Sequence, residues 1–219
     1  AKYERSLPAE ILSEYRHLGV NDARTAQLSH GTFFAFGGEE SYGYLACDFT
    51  RDKDGNGAVV LFAETAAFAK SLGKSIPGLL DDIYREFGYY IEQNVSKAFE
   101  GAEGAATILK LAASYVSIPP VECDGSSVKK ITNFATENII DSEGEKIPKE
   151  KMLFISLDDG RRFAVRPSGT EPKIKFYLFG HTPAEQINPG NLSCVKADTS
   201  AGLDSLWRWL QDDINKRLG

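Results

Sequence analysis

No apolar run in this 219-residue sequence approaches the length needed to cross a bilayer. The polar start, Ala1-Lys2-Tyr3-Glu4-Arg5, holds no signal-peptide core. Neither a membrane protein nor a secreted precursor is expected. Cysteine is scarce: Cys47, Cys123 and Cys194 are far apart and odd in number. Neither a disulfide framework nor a thiolate metal site follows from them, and a reducing, cytoplasmic compartment is expected. The histidines His17, His30 and His181 share no helical or metal-ligand spacing, so each is expected at the surface or in packing. Positive charge is in deficit, with 25 Lys and Arg against 31 Asp and Glu and a formal net charge of −6. A general nucleic-acid binder needs a basic field to displace counterions, so that class is excluded. A small anion is not, because a few local Arg and Lys side chains suffice for it. There is no internal repeat and no low-complexity tract.

What is present is ordinary for a soluble globular protein: 42% hydrophobic and 26% charged residues. The length suits one large domain or two small ones. Residues 7–18 read as a short helix with Ile11, Leu12, Tyr15 and Leu18 on one face. Thr32-Phe33-Phe34-Ala35-Phe36 reads as a short buried strand between glycines. A helix is expected over 58–72, with Val60, Ala63 and Ala67 facing inward. Ser75 caps another that buries Leu79, Leu80, Ile83 and Phe87.

Gly88 marks the expected domain boundary. Beyond it the pattern predicts a strand over 89–99 and a helix over 103–115 with Ile108, Leu109 and Ala112 inward. Strands follow over 128–134, 152–157 and 161–165, the last two joined by the hairpin signal Asp158-Asp159-Gly160. A strand over 173–179 alternates, with Ile174, Phe176 and Leu178 on one face and Lys173, Lys175 and Tyr177 on the other. The closing helix, 199–218, carries the stripe Leu203, Leu206, Trp207, Leu210, Ile214 and Leu218 for packing on the sheet. An α+β domain with helices on one face of an antiparallel sheet is expected.

Two loops can carry chemistry. Arg166-Pro167-Ser168-Gly169-Thr170-Glu171-Pro172 lies between two expected strands. Arg166 offers a planar fork of donors that fits phosphate oxygens. Ser168 and Thr170 add hydroxyls, and Gly169 permits a close backbone approach. Pro, Ser and Gly are also the usual turn residues, so local chemistry alone leaves a plain hairpin turn as the alternative. In Gly37-Gly38-Glu39-Glu40-Ser41-Tyr42-Gly43, the carboxylates of Glu39 and Glu40 can accept hydrogen bonds from sugar hydroxyls. The alternative there is an acidic, solvated turn.

Gly38-Glu39-Glu40-Ser41 resembles the sugar-specificity loop of the third domain of the α-D-phosphohexomutases (phosphoglucomutase/phosphomannomutase). Arg166-Pro167-Ser168-Gly169-Thr170-Glu171-Pro172 resembles the phosphate-binding loop of their fourth domain. Arg51-Asp52-Lys53-Asp54-Gly55 looks like the segment before a third-domain helix. The resemblance runs from about residue 33 to about residue 180. It implies a partial third αβα-type (α/β) domain over residues 1–88 that binds sugar, then a phosphate-binding α+β domain over 89–219.

By the same resemblance, Arg166, Ser168, Gly169 and Thr170 hold the phosphate that is not transferred, while Glu39, Ser41 and Lys53 contact the sugar. The ligand is a hexose phosphate or bisphosphate. The family's phosphoserine loop, Thr-Ala-Ser-His-Asn-Pro-like, and its Mg²⁺-holding Asp-Gly-Asp-x-Asp-Arg loop have no counterpart in this sequence. The chain is therefore expected to hold no catalytic nucleophile and no metal, to bind without catalysing, and to have the family's N-terminal domains as partners. Alternatives from other classes are a stand-alone phosphosugar-binding or regulatory module and a purely structural interaction domain.

Overall fold

The computed structural model describes residues 7–30, 36–38, 43–46, 55–101, 103–141, 144–169 and 171–219. The chain divides into two compact units, Ala1–Leu79 and Leu80–Gly219.

In the N-terminal unit, α1 (Ala9–Glu14) runs into a 3-10 turn, Tyr15–His17, and α2 spans Val20–His30. Leu7, Tyr15 and Ala26 form a small core with Ile11, Leu18 and Ala23 packed against it, and the Gln27 amide donates to the Tyr15 hydroxyl. The first helix was legible from its apolar spacing, although Leu12 is 42% exposed. The weakly amphipathic α2 was not. Two-residue strands β1 (Gly37–Gly38) and β2 (Tyr44–Leu45) pair antiparallel. Of the buried strand expected at residues 32–36, all but Phe36 lie outside the described residues. Phe36 itself is exposed and stacks on Tyr44.

α3 (Gly55–Ser71) begins earlier than expected, and its burial corrects the sequence reading. Val60 is 60% exposed, and Ala63 and Ala67 are exposed as well, while Ala69 is the residue that is buried. The helix has a wide apolar surface, and among the described residues of its unit only the short β2 packs on it to any extent.

α4 (Ile76–Phe87) starts as expected, with the Gly78 amide donating to the Ser75 hydroxyl at 3.2 Å. Its expected inward residues Leu80, Ile83 and Phe87 are exposed. From Leu80 on, α4 belongs to the C-terminal unit, and its contacts there are mixed: Asp81 pairs with Lys196, and Tyr84 meets Tyr89 edge-on at 4.8 Å. Lys196 also lies over the Tyr84 ring. These contacts explain why the division into units falls inside α4.

The C-terminal unit is built on strands β3 (Tyr89–Ala98), β4 (Glu122–Cys123), β5 (Ser126–Asn133), β6 (Leu153–Leu157), β7 (Arg162–Pro167) and β8 (Lys173–Thr182). They form one sheet in the order β3-β8-β7-β6-β5-β4, with every neighbouring pair antiparallel. Strict alternation sets the two faces. Ile174, Phe176 and Leu178 of β8, Phe163 of β7 and Ile155 of β6 are fully buried.

Against that face pack α5 (Gly104–Ser117) and α6 (Leu192–Leu218), so the expected α+β architecture with helices on one face is what forms. Leu203, Leu206, Leu210 and Ile214 are fully buried, as the stripe predicts. In α5 the inward set is Ile108, Leu111 and Tyr115, whereas the expected Leu109 is 59% exposed. Gly180 continues the buried alternation of β8. A Cβ there would lie 2.8 Å from Thr199 Cγ2 and 3.0 Å from Ile91 Cγ2, so only glycine lets α6 approach the sheet this closely.

Cys123 is fully buried in β4, and burial, with a further contribution from Asp213, pushes its thiol up to about 12. Cys194 is exposed on α6. Because the thiolate is the reactive form, iodoacetamide at neutral pH is expected to label Cys194 in the folded chain and Cys123 only after unfolding. Peptide mass mapping reads this directly. Equal labelling of the two would contradict the packing around β4.

Candidate functional site

The face of the sheet opposite the one on which α5 and α6 pack holds the candidate site. Its residues follow from register. Arg166 lies directly opposite Lys175, Ala164 opposite Tyr177 and Arg162 opposite Phe179. On the next strand Phe154 lies opposite Ala164. Glu150, Met152, Phe154, Ala164, Arg166, Tyr177 and Phe179 line a shallow cavity of about 360 Å³. Its floor is aromatic, with the Phe154 and Phe179 rings 5.6 Å apart. Its charged rim is Arg166 and Glu150. A second cavity on the helix side is lined mainly by apolar residues, Leu109, Val116, Leu153 and Val165 among them, with Asn133, Thr136 and Lys151 also in its lining.

Arg166 is the next-to-last residue of β7, so its side chain stands beside the connection to β8. That connection is a short hairpin loop closed at its base by the Ser168 amide donating to the Lys173 carbonyl at 3.0 Å. The Phe99 amide donates to the Pro172 carbonyl at 2.9 Å, tying the loop to the end of β3. The Ser168 amide is already engaged in closing the loop, so what Ser168 can offer a ligand is its hydroxyl. Gly169 is exposed, and a side chain added there would meet nothing within 4 Å.

Charge is concentrated here in an otherwise acidic chain. Arg166 and Lys175 are like charges in direct cross-strand opposition, an arrangement that costs about 0.2–1 kcal/mol. Among the described residues, Arg166 and Lys173 are each ion-paired with a carboxylate, and Lys175 adds its charge beside Glu171. Arg166 Nε lies 3.2 Å from Glu150 Oε1, and Lys173 Nζ lies 2.8 Å from Glu171 Oε2. Interaction with the Tyr177 side chain, and then the nearby Glu150 charge, hold the Arg166 guanidinium above its ordinary pKa despite some desolvation. The hydrogen bond from Lys173 holds the exposed Glu171 carboxyl below the usual carboxylate range.

Of the sequence-predicted site residues, Arg166, Ser168 and Gly169 are together on the β7–β8 connection. Thr170, Glu39, Ser41 and Lys53 lie outside the described residues. Sequence reasoning placed Tyr177 on the same face as Lys173 and Lys175 but gave it no part. Glu150 it missed entirely, because a Glu in a polar loop has no local signature. Among the described residues no three His, Cys, Asp or Glu side chains converge on a point where a metal would sit, so no described residue set fits the Mg²⁺ that the family resemblance implies.

Comparison with known proteins assigns the chain. Residues 24–87 match the family model described as phosphoglucomutase/phosphomannomutase, alpha/beta/alpha domain III, and residues 121–188 match the C-terminal domain of the same family. A phosphoglucomutase from Staphylococcus epidermidis is 36% identical over 183 residues, covering 81% of this chain and 33% of that protein. One from Staphylococcus aureus is 33% identical over 198 residues, covering 86% of this chain and 35% of that protein. The crystal structure of pp63/parafusin, a phosphoglucomutase from Paramecium, in its open form, aligns with a TM-score of 0.49 and 19% identity over 84% of this chain and 31% of that one. The chain thus spans about a third of the length of the curated relatives it matches. With two successive domain models matched in the family's order, the chain belongs to the phosphohexomutase family and represents its C-terminal part.

Proposed function

We propose that this chain supplies the sugar-binding and phosphate-anchoring part of a phosphoglucomutase/phosphomannomutase that interconverts hexose 1-phosphates and hexose 6-phosphates in the cytoplasm. Arg166, Ser168, Gly169 and Thr170 hold the phosphate that is not being transferred, and Glu39, Ser41 and Lys53 contact the sugar. The sugar-binding domain ends at Gly88 and the phosphate-binding domain begins at Tyr89. The phosphoserine and the Mg²⁺ belong to other domains of the whole protein, so this chain anchors substrate and leaves the chemistry to them.

The observation that carries this reading is the cross-strand opposition of Arg166 and Lys175 beside a glycine-containing loop, on the face of the sheet opposite the one that α5 and α6 pack on. Two cations facing one another attract an anion between them, in competition with the Glu150 carboxylate already beside Arg166. Phosphoryl transfer depends mainly on positioning and charge stabilisation, and a remote phosphate grip supplies positioning. A few charge-assisted hydrogen bonds contribute about 1.5–3 kcal/mol each, and association entropy takes back much of that. A hexose bisphosphate is therefore expected to bind the isolated chain with a Kd of about 1 mM. Calorimetry on wild type and Arg166→Ala tests the reading. Loss of saturable binding in the variant is expected, and equal heats would overturn the loop assignment.

A further inference from the structure

We propose that Glu150 is a positioning residue for Arg166, fixing the guanidinium from its Nε side so that the terminal nitrogens face an incoming phosphate. The inference rests on the reading of Arg166 as the phosphate-holding residue.

Glu150 is brought to Arg166 by a well-tied segment. The Phe134 amide donates to the Met152 carbonyl at 3.0 Å, and the Glu150 amide returns to the Phe134 carbonyl at 3.2 Å. These bonds extend the β5–β6 pairing beyond the strands themselves. Lys149 Nζ donates to the Thr136 carbonyl at 2.8 Å and also to the Glu137 carbonyl, holding the neighbouring turn. The Glu150 backbone is thus fixed on both sides, and only its side-chain torsions remain to be ordered. Its carboxylate accepts from Arg166 Nε at 3.2 Å. Tyr177 interacts with the guanidinium from the neighbouring strand, so the group is engaged by both.

The atom engaged decides the role. A carboxylate that competed fully with phosphate would grip the guanidinium through two parallel N–H bonds, the geometry that both anions favour. Glu150 takes Nε through one oxygen. That leaves the terminal nitrogens to turn toward a ligand beside Gly169, and it limits the rotamers the long arginine side chain must give up on binding. The same carboxylate repels a phosphate nearby. Glu150 therefore orients the arginine while keeping the grip loose.

Two substitutions separate these effects. Glu150→Gln and Glu150→Ala both remove the charge, but only Gln keeps an acceptor for Nε. Glucose 6-phosphate is titrated into the full chain and followed by NMR for wild type, both variants and Arg166→Ala. Glu150→Gln is expected to bind about threefold more tightly than wild type, because one like charge near the phosphate is gone. Glu150→Ala is expected to bind about fivefold more weakly than Glu150→Gln, the effect of one ordinary hydrogen bond. The Arg166 Nε–Hε signal provides a ligand-free readout. It should be protected in wild type and Glu150→Gln and exchange rapidly with water in Glu150→Ala. Equal affinities for the Gln and Ala variants, or an Hε signal unchanged in Glu150→Ala, would overturn the positioning role while leaving the phosphate reading intact. Equal binding by wild type and Arg166→Ala would overturn the phosphate reading, and the role of Glu150 with it.

Discussion

Phe176→Ala is expected to destabilise the C-terminal unit by about 3–5 kcal/mol, the range for emptying a large aromatic site in a packed core. Phe176 sits near the middle of β8, the strand flanked by both β3 and β7, and is fully buried. Its ring meets Tyr115 of α5 edge-on at 6.1 Å and Trp207 of α6 at 5.7 Å. One side chain therefore joins the sheet to both helices, and neither helix can close the gap without leaving the other. Urea unfolding followed by tryptophan fluorescence reads the loss, since Trp207 is itself a contact. A shift under 1 kcal/mol would mean that the helices do not pack on β8 as described. Most domains of this size have only about 5–15 kcal/mol of stability, so the variant is expected to be unfolded in a sizeable fraction at 37 °C.

Arg161→Ala is the second large loss, about 2–3 kcal/mol, for a different reason: it strands the partly buried Asp124 carboxylate and two backbone carbonyls, and it unpairs the more exposed Asp159. Arg161 Nη1 donates to Asp124 Oδ2 at 2.5 Å and to the Gly202 carbonyl at 2.9 Å, Nη2 to the Asp124 carbonyl at 3.1 Å, and Nε to Asp159 Oδ2 at 2.8 Å. One guanidinium thus joins the β4–β5 turn, the β6–β7 turn and the middle of α6. Ser205 completes the cluster by donating to Asp124 at 3.0 Å.

Asp124 holds a backbone φ of 47°, a left-handed conformation uncommon outside glycine, and the network around its side chain keeps it there. Lysine cannot make the four-way connection, so Arg161→Lys is expected to recover less than half of the loss. Burial pushes the Asp159 carboxyl up, but the hydrogen bonds and charge of Arg161 outweigh it and hold it below the usual carboxylate range. A carboxyl depressed in the folded state stabilises above its unfolded pKa, and that contribution disappears as pH falls through the folded value. The stability difference between wild type and Arg161→Ala should therefore narrow below pH 4. A difference independent of pH would show that the carboxylates are not the partners that matter.

The C-terminal unit was largely legible because its residues alternate or repeat against a complete partner surface. Ile174, Phe176 and Leu178 gave β8, Asp158-Asp159-Gly160 gave the β6–β7 hairpin, and Leu203, Leu206, Leu210 and Ile214 gave the inward face of α6. Errors came where periodicity was ambiguous. Leu109 and Leu111 are two residues apart on opposite faces of α5, and composition alone does not choose between them. In α3 and α4 the helices were found but their faces were not. Val60 of α3 and Leu80, Ile83 and Phe87 of α4 are apolar and exposed, so their pattern reports a helix without reporting what it packs on. At the site, Arg166, Ser168 and Gly169 were legible because they are contiguous. Glu150 was not, because its approach to Arg166 depends on pairing across β5, β6 and β7 rather than on its sequence neighbours.

The account stands or falls on the β7–β8 connection as the phosphate anchor. Amide chemical shifts of the full chain, followed while glucose 6-phosphate is added, test it most directly. The prediction is a saturable perturbation centred on Arg166, Ser168 and Gly169, extending to Lys175 and Tyr177 on the same face and absent in Arg166→Ala. Perturbations centred elsewhere, with those residues unmoved, would contradict it.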